Sequence, residues 1–285
     1  MGMTFKQKLT ENRFVKTLEI APPKGSDLSK VVNIAKKLRN YVDAFNITDN
    51  QRAMLRMSPL ALSSIFIKNG MEPVMQMTCR DRNRLALKSD LLGAYALGIR
   101  NILALTGDSI KAGNHKDAKQ VFDIDSVHLL KIISDMKNSD KGKTNIEFLA
   151  GAAINPNSDL LDGQIFKMKK KIDAGASFFQ TQPVFSKKVF FNFINLLESE
   201  KIQTKILAGI FVLRSAKIAE FMNIKIPGIT IPDNIIKKLK ASSNPEKTGI
   251  EIAVKTINKI RDECEGIHIM AMGKYDSLPY LFKKI

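Results

Sequence analysis

The sequence predicts a single (β/α)8 barrel of the TIM type, and three observations carry that reading. Eight short apolar runs recur from end to end, amphipathic stretches of helical period separate them, and the 285 residues slightly exceed the roughly 250 usual for this architecture. Runs that are apolar on both faces and lack two-residue hairpin turns read as buried parallel strands.

In chain order the runs span residues 15–21, 42–48, 73–78, 101–105, 146–153, 177–181, 205–211 and 266–272. After the first, Leu28, Val31, Ala35 and Leu38 form an apolar stripe, with Ser26 or Asp27 opening the helix. After the third, Asp81 reads as a helix N-cap beside exposed arginines. After the fifth, Leu161, Ile165, Met168 and Ile172 repeat the stripe, opened by Ser158 or Asp159. Gly98 and Gly175 stand where helices should end, because glycine accepts the left-handed conformation of a C-terminal cap.

An open doubly wound sheet is the competing fold, and it calls for a glycine-rich phosphate turn after the first strand. Here that turn is Ala21-Pro22-Pro23-Lys24-Gly25, whose prolines lack the N–H groups a phosphate cradle uses. The barrel is therefore expected to occupy residues 1–285 as one domain.

With 44% hydrophobic residues the chain is too apolar for disorder. Its net charge of +17 would by itself suggest a polyanion partner. However, 35 of the 45 basic residues are lysines spread along the whole chain, which reads as a solvated surface rather than a nucleic-acid site. Cys79 and Cys264 form no CxxC pair, no secretory leader is evident, and no apolar run reaches the ~18 residues of a membrane span, so a cytoplasmic protein is expected. His115, His128 and His268 show no metal-ligand spacing; no metal is expected, and His268, in the last strand, reads as a packing position.

In a (β/α)8 barrel the reactive groups gather at the C-terminal ends of the strands. Those ends carry Glu19, Thr48-Asp49-Asn50, Thr78-Cys79-Arg80-Asp81, Thr106-Gly107-Asp108, Asn155-Pro156 and Gln180-Thr181-Gln182. Glu19, inside an apolar run, reads either as a general acid or as a carboxylate paired with a lysine. Asp108 reads as an acceptor for an amino-substituted ring such as a pterin, or as the cap of the next turn. Arg80 and Arg82 suit a phosphate contact, or exposed positions around the cap. Lys167, Lys169, Lys170 and Lys171 form a solvated helix face from which one or two could reach a cofactor phosphate.

In order along the chain, Leu18-Glu19-Ile20-Ala21-Pro22-Pro23-Lys24, Asn46-Ile47-Thr48-Asp49-Asn50, Thr78-Cys79-Arg80-Asp81-Arg82-Asn83 and Leu105-Thr106-Gly107-Asp108 resemble the methylenetetrahydrofolate reductase family. The likeness continues through residues 117–123, 173–176 and 180–185, nearly the whole barrel. It implies a flavin enzyme reducing 5,10-methylenetetrahydrofolate to 5-methyltetrahydrofolate. Glu19 would protonate N10, and hydride would come from reduced flavin N5. Asp108 would bind the pterin and tune the flavin, Gln182 would contact the substrate, and Lys274 stands where the family often has an arginine holding the glutamate tail.

The flavin contacts the resemblance implies begin with Thr48, Asp49, Gln51 and Gln76. They continue with Thr106, Gly107 and Asp108, then Phe122 and Asp123, and finally Asn155, Lys170 and Lys171. Departures are Ile20-Ala21 for two phenylalanines, Gln76 where some members have histidine, and Gln164 for an acidic residue near the cofactor's tail. FAD is the expected flavin, with FMN the alternative. Electrons would come from NADH, NADPH or an iron-sulfur partner subunit, as in short forms from anaerobic one-carbon pathways. With two cysteines, any cluster must sit on that partner. A homo- or hetero-oligomer without a carboxy-terminal regulatory domain is expected. Competing readings are another flavin barrel of the proline dehydrogenase type and an inactive basic scaffold.

Overall fold

In the computed structural model, which describes residues 2–137, 145–226 and 228–285, eight parallel strands close into a barrel in chain order. They are β1 (Val15–Ile20), β2 (Ala44–Ile47), β3 (Pro73–Thr78), β4 (Asn101–Leu105), β5 (Leu149–Ile154), β6 (Phe178–Pro183), β7 (Lys205–Phe211) and β8 (Gly266–Met270). Closure sets Val15 beside Gly266 and Thr17 beside His268.

Helix α1 (Phe5–Thr10) precedes the barrel. The crossovers are α2 (Ser29–Leu38), α3 (Pro59–Lys68), α4 (Arg84–Ala96), α5 (Ser126–Met136), α6 (Leu161–Asp173) and α7 (Lys187–Ser199). Three helices, α8 (Ala216–Lys225), α9 (Asp233–Lys240) and α10 (Pro245–Ile260), join β7 to β8, and α11 (Leu278–Phe282) follows. None of the helices among the described residues is long and apolar enough to cross a membrane.

The expected strands are all present, with shifted ends. β2 starts at Ala44, the first residue in register with β1, and Asp43 just before it accepts from the Lys16 N–H at 2.7 Å and pairs with Lys8. β5 starts at Leu149, the first residue in register with β4. Gly98 and Gly175 end their helices at φ +87° and +106°.

The expected caps are corrected. Asn83, not Asp81, caps α4 by accepting from the Ala86 N–H at 3.0 Å, because Asp81 is held by the Arg80 fork. Leu28 and Leu160 occupy the N-cap positions of α2 and α6 without a side-chain bond. Asp27 and Ser158 act one and two residues earlier, accepting from the Ser29 and Leu160 N–H groups.

The N-terminal end of the barrel is an apolar floor. Phe5 of α1 meets Phe178 of β6 edge-on, ring centroids 5.6 Å apart, and both are fully buried among Val15, Val74, Leu103 and Leu207. Gly151 makes the room, since a Cβ there would lie 2.3 Å from the Phe178 ring. Burying each such side chain contributes about 1.5–3 kcal/mol. With that end sealed, polar interior residues collect at the other.

Candidate active site

A cavity of about 290 Å³ opens at the C-terminal end of the strands. Below it, strand parity turns polar side chains inward. Gln76 Nε2 donates to Asn46 Oδ1 at 3.1 Å, and Asn46 Nδ2 donates to Gln180 Oε1 at 2.7 Å. The amide chain crosses from β3 through β2 to β6 and leaves the buried Gln180 Nε2 with no partner among the described residues. Such a donor is costly unless something else accepts from it.

Glu19 stands over this layer, its side chain 12% exposed. Its Oε2 accepts from Gln51 Nε2 at 3.3 Å and lies 3.9 Å from His268 Nε2. No lysine pairs with it among the described residues, which removes the ion-pair reading. His268 Nδ1 is 2.9 Å from Thr17 Oγ1, and Thr17 donates its single hydroxyl hydrogen to the Ile267 carbonyl at 3.3 Å. The Thr17 hydroxyl therefore anchors the Nδ1 edge of the ring, which turns Nε2 toward Glu19.

On the facing side, Asp108 Oδ2 accepts from the Arg52 N–H at 3.0 Å, so it ties down the β2 loop rather than capping its own turn. That loop holds Asn50, Arg52 and Ala53 at positive φ. Gly107, at φ +96°, allows the close approach, since a Cβ there would lie 3.1 Å from Thr78 Cβ and 3.2 Å from Arg80 Cβ. Asp49 accepts from the Thr78 N–H at 2.8 Å and its hydroxyl at 2.9 Å, and pairs with Arg82. Burial pulls the Arg82 guanidinium down, but Asp49 and Asp90 outweigh it and hold its pKa above the ordinary value. Burial pushes the Asp81 carboxyl up, and the Arg80 fork outweighs that and holds it below the usual carboxylate range.

Against known proteins, the family model for methylenetetrahydrofolate reductase matches residues 4–285. The chain belongs to the methylenetetrahydrofolate reductase family. It is 28% identical over 288 residues to the 5,10-methylenetetrahydrofolate reductase of Buchnera aphidicola subsp. Acyrthosiphon pisum, covering 96% of this chain and 92% of the relative. It is 25% identical over 218 residues to that of Escherichia coli K12, covering 74% and 70%. Among solved structures, an uncharacterized protein from Clostridium thermocellum that binds two copies of 5-methyl-5,6,7,8-tetrahydrofolic acid matches with a TM-score of 0.70. The identity is 16%, over 98% of this chain and 96% of that one, a likeness of fold.

In this reductase-family barrel the mouth cavity brings together Glu19, Asp49, Gln51, Gln76, Asp108 and Gln182, with Thr106 and Gly107 completing the β4 side. Thr106 also borders a neighbouring cavity of about 390 Å³ lined by Phe122 and Asp123 together with Arg84 and His128. Thr48 is fully buried, its Oγ1 unpartnered among the described residues. The remaining expected residues line neither cavity. Asn155 donates to the Gly228 carbonyl at 3.1 Å. Lys171, its pKa lowered by burial and then by Lys167, donates to the Ala153 carbonyl at 2.8 Å. Lys170 lies over the Phe166 ring at 4.5 Å, and Lys274 is exposed beyond β8.

Sequence reasoning missed His268 as a neighbour of Glu19, and Thr17 as the group that orients it. The available signal was parity, since Thr17 and Glu19 share one face of β1 and His268 interrupts an otherwise apolar β8. Arg80, read as either a phosphate contact or an exposed position, is not exposed but buried, with Asp81 and the Asn50 carbonyl, 3.3 Å from its Nη2, against it.

Proposed function

We propose that this chain catalyses the flavin-dependent reduction of 5,10-methylenetetrahydrofolate to 5-methyltetrahydrofolate, with Glu19 as the general acid. The observation that carries this reading is a carboxyl group at the barrel mouth without a lysine or arginine partner among the described residues, held by Gln51, flanked by His268 and faced by Asp108. The residues present fit a flavin. Gln180 Nε2, bordering the mouth cavity, is a buried donor without a partner among the described residues, and Gly107 opens the β4 rim where a side chain would crowd Thr78 and Arg80.

Gln51, Gln76, Thr106, Gly107 and Asp108 would hold the ring system, and Phe122 and Asp123 the parts beyond it. Asn155, Lys170 and Lys171 are candidates for the cofactor's tail. FAD is the favoured form. When bound, the reduced flavin supplies hydride from N5 to the one-carbon unit.

The chain's own groups do the acid chemistry and the positioning. Glu19 gives its proton to N10, which breaks the N10–methylene bond of the five-membered ring and leaves an electrophilic iminium on N5 of the folate. His268 Nε2, 3.9 Å from Glu19 Oε2, flanks the carboxyl and limits its orientations, leaving the acid proton for N10. Asp108 accepts from the pterin's N–H groups, Gln182 contacts the substrate from β6, and Lys274 provides a charge for its glutamate carboxylates. General acid catalysis of this kind contributes about 10²- to 10⁴-fold. The electrons originate from NAD(P)H or from an iron-sulfur partner subunit.

The test is reconstitution with FAD or FMN followed by anaerobic addition of 5-methyltetrahydrofolate. Bleaching of the flavin near 450 nm is expected, because the reaction then runs in reverse. A chain that takes up neither flavin overturns the reading. Anaerobic addition of NADH and NADPH separately identifies the donor, and bleaching by neither points to the partner protein.

A further inference from the structure

Thirty-five lysines and ten arginines are distributed over this chain, yet only one of them lines the mouth cavity among the described residues: Arg80. The cavity's carboxylates are Glu19, Asp49 and Asp108. Asp49 is matched from behind by Arg82, so Arg80 is the cation presented to whatever occupies the mouth. Its side chain is 1% exposed. Two edges of the guanidinium are fixed: Nε and Nη2 donate to the two Asp81 oxygens at 2.7 and 2.6 Å, and Nη2 also reaches the Asn50 carbonyl. Nη1 makes no hydrogen bond among the described residues. A surface staple would leave such a donor to water, whereas here the side chain is enclosed and borders the cavity.

Resting on the flavin reading above, we propose that Arg80 is the electrostatic partner of the bound flavin. Its Nη1 donates to the N1/C2=O edge and favours the reduced, anionic form of the ring. Asp81 and the Asn50 carbonyl occupy Nε and Nη2, so Nη1 is the donor left to meet an acceptor from the cavity. Uptake of two electrons and of one proton at N5 leaves one negative charge, spread over N1 and C2=O. A donor there is worth more to the reduced ring than to the oxidised one. Asp81 serves as the positioning residue, fixing the fork and partly offsetting its charge.

The test compares flavin midpoint potentials and sulfite affinities of the FAD-loaded enzyme and two variants. In Arg80→Gln/Asp81→Asn the pair is replaced by neutral amides, which avoids leaving a buried unpaired charge. Its preference for reduced over oxidised flavin should fall about ten- to a hundredfold, a shift of roughly 30–60 mV to more negative potential for a two-electron couple. Sulfite, which also leaves negative charge on the N1/C2=O edge, should bind more weakly in parallel. Asp81→Asn keeps the cation and removes its counter-charge, so its potential should move severalfold the other way.

Unmoved potentials in a yellow, folded protein overturn the proposal and leave Arg80 a structural staple. Should the double variant not fold, Asp81→Asn decides alone, and an unchanged potential there is contradictory. A wild-type chain that binds neither FAD nor FMN overturns the flavin reading itself, and that outcome is visible before any variant is made.

Discussion

At position 17 a single hydroxyl decides which way an imidazole presents its ring. Thr17 Oγ1 holds His268 Nδ1 at 2.9 Å, leaving Nε2 to face Glu19. His268→Gln should slow folate reduction about tenfold to a hundredfold while leaving flavin affinity within twofold, as read by stopped-flow reoxidation and flavin titration. Thr17→Val should produce a smaller loss in the same direction. A flavin affinity that falls with the rate would mean the histidine only packs. Glu19 was legible as a mouth residue because a carboxylate in an apolar strand is conspicuous, and Asp108 because it follows a strand end, whereas Gln76 came from the family resemblance alone. The Glu19–His268 contact was not, because β8 meets β1 only when the barrel closes, and local pattern carries no information about closure.

Among the elements, all eight strands were readable because each is buried on both faces and bounded by polar turns. The ends of β2 and β5 were not, because pairing stops where a neighbour stops, and hydropathy continues past that point. Helix α1 escaped the reading altogether. It has six residues, two of them buried, and its one signal is a capping box, Thr4 accepting from the Gln7 N–H at 3.2 Å and Gln7 from the Thr4 N–H at 2.8 Å. Yet α1 supplies Phe5 to the barrel floor. Phe5→Ala should destabilise the protein by about 3–5 kcal/mol in denaturant unfolding. Flavin affinity at the opposite end should be unchanged, and an equal loss in both would contradict the separation of floor from mouth.

Across the whole molecule, the surplus of +17 lies almost entirely outside the mouth cavity. A surplus of that sign attracts anions at long range, an effect that falls with ionic strength. Burial pushes both the Cys79 and Cys264 thiols up to about 12. At pH 8 the reactive thiolate is then scarce, so iodoacetamide should label the native protein far more slowly than the unfolded chain by mass spectrometry. Rapid native labelling would contradict that burial. The central claim is that Glu19 supplies the proton that opens the folate ring. It is tested most directly by stopped-flow reoxidation of the reduced, FAD-loaded enzyme with 5,10-methylenetetrahydrofolate, comparing wild type with Glu19→Gln. The wild type should return to yellow, and Glu19→Gln should bind flavin normally yet reoxidise at least about a hundredfold more slowly; a variant that reoxidises at the wild-type rate would contradict the account.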